Sequence, residues 1–310
     1  MQQYFTNREL NEIIPNEEGK PILNEKYDNK TFANQRFDKK WNIEFKIFQN
    51  CTFSKMGFLQ SQFKNIELRY SIFIDCYFRN AKFEAVDFTG VLFINCNFDS
   101  ATFVNCIFEY AKFTNCMIEY DILKENLPRA RHNLNRDLCR NLCIECLRLG
   151  SDKDYRKYYF EEKRASEKYY WKKFYHRSSE NDNYYNKYNL WEQIGGFFSF
   201  LLSKCNNIIW GYGEKLSRLL MNMLIIVLTF SVIYGFLYNQ DITNLATQES
   251  NGWFGYIYLS LCNFFTFSPS NELVKDTIQY KYLAIIEAGL GVVSMGFFVA
   301  ALFRYVNRRG

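Results

Sequence analysis

The chain has 310 residues, of which 48% are hydrophobic and 19% aromatic, with 31 Phe and 23 Tyr. Its formal net charge of +5 comes mainly from residues 124–215, which hold 18 Lys and Arg against 12 Asp and Glu. The chain has two histidines and neither a nucleophile elbow nor a phosphate-binding loop. These features argue against the usual hydrolases and nucleotide-dependent enzymes, so we predict no catalytic residue, no metal site and no cofactor.

Residues 1–45 are polar, are interrupted by Pro15 and Pro21, and show no sustained hydrophobic period. Short apolar stretches in this segment favour a small hairpin or helix that caps the region after it. A secretory signal peptide needs a continuous apolar core, which the first forty residues lack. We therefore predict a cytosolic N-terminal cap over 1–45, to which we assign no function.

From Phe48 to Leu123 a large apolar residue occupies every fifth position. These positions are Phe48, Phe53, Phe58, Phe63, Leu68, Phe73, Phe78, Phe83, Phe88, Phe93, Phe98, Phe103, Phe108, Phe113, Ile118 and Leu123. Two residues before each of them the side chain is mostly small or apolar, as at Cys51, Ala81 and Val86. A period of five matches neither a helix nor a flat strand, but it fits a chain that turns a corner every five residues.

The repeated units of residues 46–123 resemble the pentapeptide-repeat family. The resemblance implies a right-handed quadrilateral β-helix with four repeats per coil, and sixteen repeats would then form four coils. Five of the ten cysteines fall in the inward small column, where they act as small hydrophobic side chains. Some family members imitate DNA, but 7 Lys and Arg against 8 Asp and Glu make this segment too neutral for that role. We predict a rigid spacer or docking surface and no nucleic-acid partner.

Residues 124–190 are predicted to form an α-helical hairpin and a polar linker. Apolar side chains at helical spacing indicate a helix over Pro128–Leu149 and a second over Asp152–Phe174. Ser151 and Asp154 have the spacing of a capping box at the start of the second helix. The hairpin is predicted to join the β-helix to the membrane.

Zinc is an alternative interpretation of the first of these helices. Cys143 and Cys146 have C-x₂-C spacing, and His132 and Cys139 lie nearby in the sequence. A second ligand pair at the usual spacing is missing, and all four residues fit a packed helix. We therefore favour the helix.

Residues 191–215 are apolar but are interrupted by Gly195, Gly196 and Lys204, so they are too short to span a bilayer. Tryptophans at both ends of the apolar part favour a helix in the cytoplasmic interface of the membrane.

Residues 216–310 contain two apolar runs that are long enough to span a membrane. Leu219–Gln240 has no charge and Tyr282–Phe303 has one, Glu287. Each run of 22 residues would form about 33 Å of helix, which covers the hydrocarbon core of a bilayer. Between them, Gly252–Pro269 is aromatic-rich and slightly too short to span, which favours a re-entrant pore helix and loop.

This order of segments resembles the pore module of the two-transmembrane potassium-channel-like superfamily. Tyr258 to Leu261 and Phe265 look like its pore helix, and Thr266 lies where its filter begins. The resemblance assigns a pore lining to Phe265, Thr266, Phe267, Ser268, Pro269 and Ser270. The family's filter depends on glycines that this loop lacks, and proline restricts the backbone further, so we expect weak selectivity among ions.

Glu287 is the residue whose position is energetically most costly, because it places a carboxylate inside a predicted span. One interpretation is a functional group that faces the pore, a partner or the back of the pore helix. The other is a structural group that forms hydrogen bonds to the pore-loop backbone. The resemblance favours Gly291 and Gly296 as gating hinges. For Gly289 we favour a role in close helix packing.

The sequence thus predicts a multidomain β and α membrane protein with a cytosolic β-helix, a helical linker and two transmembrane helices with a re-entrant pore helix. Basic residues flank both spans, so we expect both termini in the cytoplasm and the protein in a bacterial inner membrane. The predicted function is a homotetrameric channel for permeant ions, gated through its cytosolic domain by an unidentified protein or small molecule. The alternative is a non-conducting, membrane-anchored scaffold.

Overall fold

The computed structural model describes residues 10–11, 14–15, 21–35, 42–175, 189–238, 252–267 and 278–307. The chain forms two compact units, Met1–Phe200 and Leu201–Gly310. The first contains short strands and a helical hairpin, and the second contains long apolar helices.

The strands of the first unit are mostly three residues long and stack in parallel, except for one short antiparallel pair formed by Ile14–Pro15 and Pro21–Ile22. They are β1 (Leu10–Asn11), β2 (Ile14–Pro15), β3 (Pro21–Ile22), β4 (Lys26–Asp28), β5 (Thr31–Ala33), β6 (Asn42–Glu44), β7 (Ile47–Gln49), β8 (Thr52–Ser54), β9 (Gln62–Lys64), β10 (Ile72–Ile74), β11 (Lys82–Glu84), β12 (Leu92–Ile94), β13 (Thr102–Val104) and β14 (Lys112–Thr114). One sheet has the order β1-β5-β8-β10-β12-β14 and another the order β13-β11-β9-β6. Parallel β-bridges such as Tyr77 to Asn97 build the remaining faces.

The register confirms a β-solenoid of about four turns over the predicted repeats. Phe73 pairs with Phe93, and Phe83 pairs with Phe103, so one coil takes twenty residues. The corners arise because the fifth residue of each repeat adopts the left-handed conformation, with φ between 52° and 69°. These residues are Asn50, Lys55, Gln60, Asn65, Tyr70, Asp75, Asn80, Ala85, Gly90, Asn95, Ser100, Asn105, Tyr110 and Asn115. Asn and Asp are frequent here because their side chains tolerate this conformation.

The solenoid begins before residue 46, within the segment predicted as a cap. Strand β5 pairs with β8, and β6 pairs with β9, in the same parallel sheets as the later repeats. Thr31 is opposite Thr52, so this coil takes twenty-one residues. The extra residue lies between the left-handed corners at Asn34 and Phe45, where the five-residue period is broken.

A column of stacked phenylalanines fills the interior of the solenoid. Along one face the ring centroids of Phe53, Phe73, Phe93 and Phe113 are 4.6, 5.3 and 5.0 Å apart. The inward cysteines are buried beside them, and burial raises the pKa of the Cys106 thiol to about 11. The Cys106 thiol therefore remains neutral, and the inward cysteines pack as small hydrophobic side chains.

A helical hairpin closes the C-terminal end of the solenoid. It contains α1 (Tyr120–Leu123), a 3₁₀ turn (Lys124–Asn126), α2 (His132–Arg148) and α3 (Asp152–Phe174). Buried residues of α2 and α3, among them Leu142 and Tyr158, belong to the same hydrophobic core as the phenylalanine column. The hairpin is therefore an integral part of the fold of the solenoid.

Side chains of the hairpin complete the hydrogen bonds of the last strand. The Asn141 amide accepts from the Phe113 N–H at 2.8 Å and donates to the Phe113 carbonyl at 2.9 Å. Glu145 Oε2 accepts from the Asn115 N–H at 2.6 Å. These contacts replace the strand that would otherwise lie there and protect an exposed sheet edge.

Asn126 performs the same role on a neighbouring face. Its Oδ1 accepts from the Cys106 N–H at 2.7 Å, and its Nδ2 donates to the Phe103 carbonyl at 3.0 Å.

The predicted capping box is absent, since the Ser151 hydroxyl donates to Asp154 instead of capping the backbone of α3. The second carboxylate oxygen of Asp154 accepts a hydrogen bond from the Tyr120 N–H.

The cysteines of α2 are buried in this interface. Among the described residues no group of His, Cys, Asp and Glu has the geometry of a metal site. Burial, together with the charges of Asp154 and Glu145, raises the pKa of the Cys146 thiol to about 12. A neutral thiol in an apolar interface suits the packed-helix interpretation.

The remaining helices are α4 (Leu190–Trp210), α5 (Leu216–Tyr238), α6 (Gly252–Phe264) and α7 (Ile278–Asn307). Within the described residues, two stretches are long and apolar enough to span a membrane, Leu216–Leu237 with mean hydropathy 2.2 and Gln279–Arg304 with 2.0. In the most apolar 18-residue segment of each stretch, 33% and 17% of the segment, respectively, is buried. A core helix of a water-soluble protein passes the same length and hydropathy test, but it is mostly buried.

Candidate functional site in the apolar helices

Glu287 lies at the centre of the second unit, where α5, α6 and α7 meet. Its exposed fraction is 0%. The Tyr234 hydroxyl of α5 donates to its Oε2 at 2.8 Å, and the Ser260 hydroxyl of α6 contacts its Oε1. The same Ser260 oxygen lies 2.9 Å from the Val227 carbonyl. The carboxylate therefore faces α6, and among the described residues its hydrogen-bond partners are the side chains of Tyr234 and Ser260.

Two further residues extend this network. Asn263 Nδ2 donates to the Tyr234 hydroxyl at 3.1 Å, and the Tyr280 hydroxyl donates to Asn263 Oδ1 at 3.2 Å. Tyr234, Ser260, Asn263, Tyr280 and Glu287 are all buried. We call these five residues the polar cluster. Because all three helices contribute to it, the cluster fixes α6 against both long helices.

Gly291 permits a close contact between α7 and the end of α6. A Cβ atom built at this position would lie 1.9 Å from the Phe264 carbonyl oxygen and 2.8 Å from its carbonyl carbon. Any side chain here would collide with backbone, which cannot move away as a flexible side chain can. Gly289 and Gly296 have open space around their Cβ positions. The hinge roles of Gly291 and Gly296 stay predictions.

The C-terminal end of α6 turns through Thr266. The Thr266 N–H donates to the Asn263 carbonyl at 3.1 Å, and the Phe267 N–H donates to the Cys262 carbonyl at 2.8 Å. These bonds form a Schellman motif, in which Thr266 has a left-handed φ of 58° that β-branched residues rarely adopt. Phe265 and Phe267 are 40% and 68% exposed. The predicted lining residues Ser268, Pro269 and Ser270 lie outside the described residues.

A tight turn between α4 and α5 holds the end of α7. Gly211, Tyr212 and Gly213 all have positive φ. This turn presents the Tyr212 carbonyl to Arg304, whose Nη1 donates to it at 3.0 Å and lies 3.9 Å from the buried Glu214 carboxylate. Gly213 has a φ of 81°, which favours glycine, and a Cβ there would also lie 2.6 Å from the same Nη1 atom.

Sequence reasoning found Glu287 but missed the other members of the polar cluster. Ser260 and Asn263 are three residues apart on α6, so they share one face of that helix. Tyr234 and Tyr280 lie near the ends of apolar helices, where tyrosine is common and attracts no attention. The signal that would have found Ser260 and Asn263 is a polar pair at helical spacing inside an apolar segment.

Comparison with known proteins bears on the solenoid. Residues 46–123 match the family described as a pentapeptide repeat region. No curated protein matches the chain. Among solved structures, the chain is similar to two trypsin-treated forms of QnrB1, a plasmid-mediated fluoroquinolone resistance protein, with 19% and 16% identity and TM-scores of 0.16 and 0.10.

Both alignments cover 31% of this chain, and they cover 56% and 75% of the QnrB1 chains. This chain therefore spans little more than half the length of the first QnrB1 structure. The family match coincides with the segment that stacks in coils of twenty residues. Residues 46–123 are therefore a pentapeptide-repeat β-solenoid.

Proposed function

We propose that the chain forms a homotetrameric channel in a bacterial inner membrane, with weak selectivity for the permeant ion. Helices α5 and α7 span the bilayer, α6 enters as a half-helix, and both termini are cytoplasmic. The solenoid is the cytosolic domain through which the channel is gated. The polar cluster around Glu287 is the observation that carries this proposal.

The polarity of the second unit supports a lipid environment. Its buried centre holds a carboxylate and four polar side chains, whereas apolar side chains such as Phe236, Ile285 and Val299 are 81%, 68% and 63% exposed. Water would penalise such a surface, because large exposed apolar patches are rare on soluble monomers. Lipid favours it, and a buried carboxylate then requires hydrogen-bond donors of the kind that Tyr234 and Ser260 provide.

The length of α6 supports a re-entrant segment. Its 13 residues form about 20 Å of helix, which is shorter than the hydrocarbon core. A helix that ends inside the bilayer exposes irregular backbone, which is tolerated where protein or a water-filled cavity covers it. Further copies of the chain around an axis would supply that cover, and Phe265 and Phe267 would then line it.

Ion flux from liposomes that contain the purified protein tests the proposal. We expect Phe267→Ala to increase flux, because it widens a hydrophobic constriction that closes by dewetting. Phe254→Ala is the matched control, since Phe254 is also exposed but lies at the opposite end of α6. In mixed sodium and potassium, the reversal potential should show little discrimination between the two ions.

Liposomes that stay tight under every condition and with both variants would overturn the channel and favour the membrane-anchored scaffold. Strong preference for potassium, or equal effects of the two substitutions, would show that the end of α6 is not the constriction. Extraction of the protein from membranes by carbonate at high pH would contradict the assignment of α5 and α7 as spans.

A further inference from the structure

One face of the solenoid carries a regular backbone ladder that can be followed from coil to coil. The Phe78 N–H donates to the Asn97 carbonyl at 2.8 Å, and the Asn80 N–H donates to the Asp99 carbonyl at 2.9 Å. In the opposite direction the Asn97 N–H donates to the Cys76 carbonyl at 3.0 Å. We call the segment that one coil contributes to this face, such as residues 76–80, a rung. Each rung offers two N–H groups, two residues apart, and one carbonyl to the next coil.

The ladder stops at the rung formed by residues 96–100. The next coil would bring Met117 and Glu119 over this rung, but their carbonyls accept no bond from the N–H groups of Phe98 and Ser100 in the described part of the chain. The Cys96 carbonyl likewise has no backbone donor there. The chain leaves the coil after Cys116 and enters α1 at Tyr120, so it does not complete the rung.

A groove of about 390 Å³ lies over this rung. Met117, Ile122 and Leu149 form its apolar wall, and Asp99 and Glu119 add carboxylates. Its lining, all of which is described, contains no Lys or Arg. Arg79 pairs with Asp99 at 3.1 Å, whereas Glu119 is exposed and forms no ion pair with a described residue.

We propose that this groove binds an extended basic peptide of a protein partner, which adds a strand to the rung of residues 96–100. The N–H groups of Phe98 and Ser100 and the carbonyl of Cys96, which have no backbone partner among the described residues, have the positions that pair with a parallel neighbour in the two preceding coils. Main-chain pairing of this kind supplies affinity, and the acidic and apolar walls select the side chains. The site lies on the solenoid and does not depend on the channel proposal.

Peptide binding to the full-length protein in nanodiscs tests the site. The probe is a fluorescent, end-blocked heptapeptide of alternating Lys and Val, and the comparison peptide alternates Glu and Val. Fluorescence anisotropy should show at least tenfold weaker binding of the acidic peptide, because Asp99 and Glu119 repel it. N-methylation of alternate residues on the pairing edge should abolish binding of the basic peptide, since it removes the donors of the new strand.

Hydrogen exchange locates the bound peptide. The amides of Phe98 and Ser100 should exchange more slowly when the basic peptide is present. The rung at residues 107–110 serves as an internal control, because the N–H groups of Phe108 and Tyr110 also end a ladder within the described residues but lie away from the groove. Their exchange should not change.

Two variants test the walls of the groove. Met117→Trp should fill it and weaken binding at least tenfold, whereas Val104→Trp places the same bulk on an exposed position outside it. Glu119→Lys should weaken binding of the basic peptide, and Glu84→Lys, on a neighbouring strand, should not. If Met117→Trp fails to fold, the exchange measurement and the Glu119 variant still decide the matter.

The proposal is overturned by no binding of the basic peptide, by equal binding of both peptides, or by protection that appears elsewhere on the solenoid. Peptide binding without ion flux would leave this site intact and would count against the channel. Ion flux without peptide binding would support the channel and would overturn the peptide site.

Discussion

The solenoid and the apolar helices distribute polarity in opposite ways. In the solenoid, phenylalanines such as Phe93 and Phe113 are buried and charged residues such as Lys82 face outward. In the helices, Glu287 and Tyr234 are buried and residues such as Phe236 face outward. The same aromatic-rich composition therefore fits two solvents, water around the solenoid and, in our proposal, lipid around the helices.

The two regions also differ in how they satisfy backbone hydrogen bonds. Each helix satisfies most of its own N–H and carbonyl groups, so α5 and α7 require no neighbour for this purpose. A solenoid coil depends on the coils before and after it, so its last coil needs substitutes such as Asn141 and Asn126. A destabilising substitution should therefore affect neighbouring coils in the solenoid more than it affects neighbouring helices in the second unit. The following substitutions measure that difference.

The largest expected effect is that of Phe93→Ala in the solenoid. Phe93 has an exposed fraction of 0% and stacks between Phe73 and Phe113. The cavity should lower the free energy of unfolding by about 3–5 kcal/mol. Chemical denaturation of the full-length protein, followed by circular dichroism, measures this. Lys82→Ala on the outer surface is the control, and an equal loss in both variants would contradict the assigned inward and outward faces.

In the apolar helices the largest effect should come from Gly291→Ala. The added methyl group collides with the Phe264 backbone, so α6 must move away from α7. Strain of this kind costs about 1–3 kcal/mol, and it should appear as a lower melting temperature in detergent. Gly296→Ala meets open space and should not lower the melting temperature, because Ala has the higher helix propensity. Equal melting temperatures for the two variants would mean that α6 and α7 do not pack as described.

Removal of a cap should have an intermediate effect. Asn141→Leu leaves the N–H and carbonyl groups of Phe113 without their partners, which costs about 1–3 kcal/mol. Hydrogen exchange should quicken first at Phe113 and then in the coil beneath it. Asn133→Leu makes the same replacement in the first turn of α2 and should have little effect. Uniform exchange across the solenoid would show that its coils unfold together and that the cap does not protect the end.

The smallest expected effect is a gain in stability. Ala85 occupies a left-handed corner with φ of 53°, between Asn65 and Asn105 in the stacked coils. Ala85→Asn should raise the free energy of unfolding by about 0.5–1 kcal/mol, because Asn tolerates this conformation better than Ala. Gly90→Ala should lower it, since the corner there has φ of 69° and the new methyl group meets the Tyr70 ring. Both changes are read from urea denaturation, and a loss of stability in Ala85→Asn would contradict this account of the corners.

The sequence predicted the solenoid because its core depends on a local pattern. Each apolar residue at the repeat position from Phe48 to Phe113 faces inward through the same five-residue turn, so the period alone determines the column, whereas Leu123 joins the same core from helix α1. The bounds Asp152–Phe174 of α3 agree with the prediction for the same reason, since helical spacing is local. The coils before residue 46 were missed because the extra residue between Asn34 and Phe45 breaks the period although the stacking continues.

The sequence by itself determined the solenoid, the helical hairpin and the two long apolar helices, all of which follow from periodicity or run length. Only the tertiary structure decided which polar groups meet. Tyr234 and Glu287 are 53 residues apart, and Asn141 reaches Phe113 across 28 residues, and no local pattern relates such pairs. Hydrogen bonds between distant residues depend on how the helices and coils pack, and packing is a property of the whole chain.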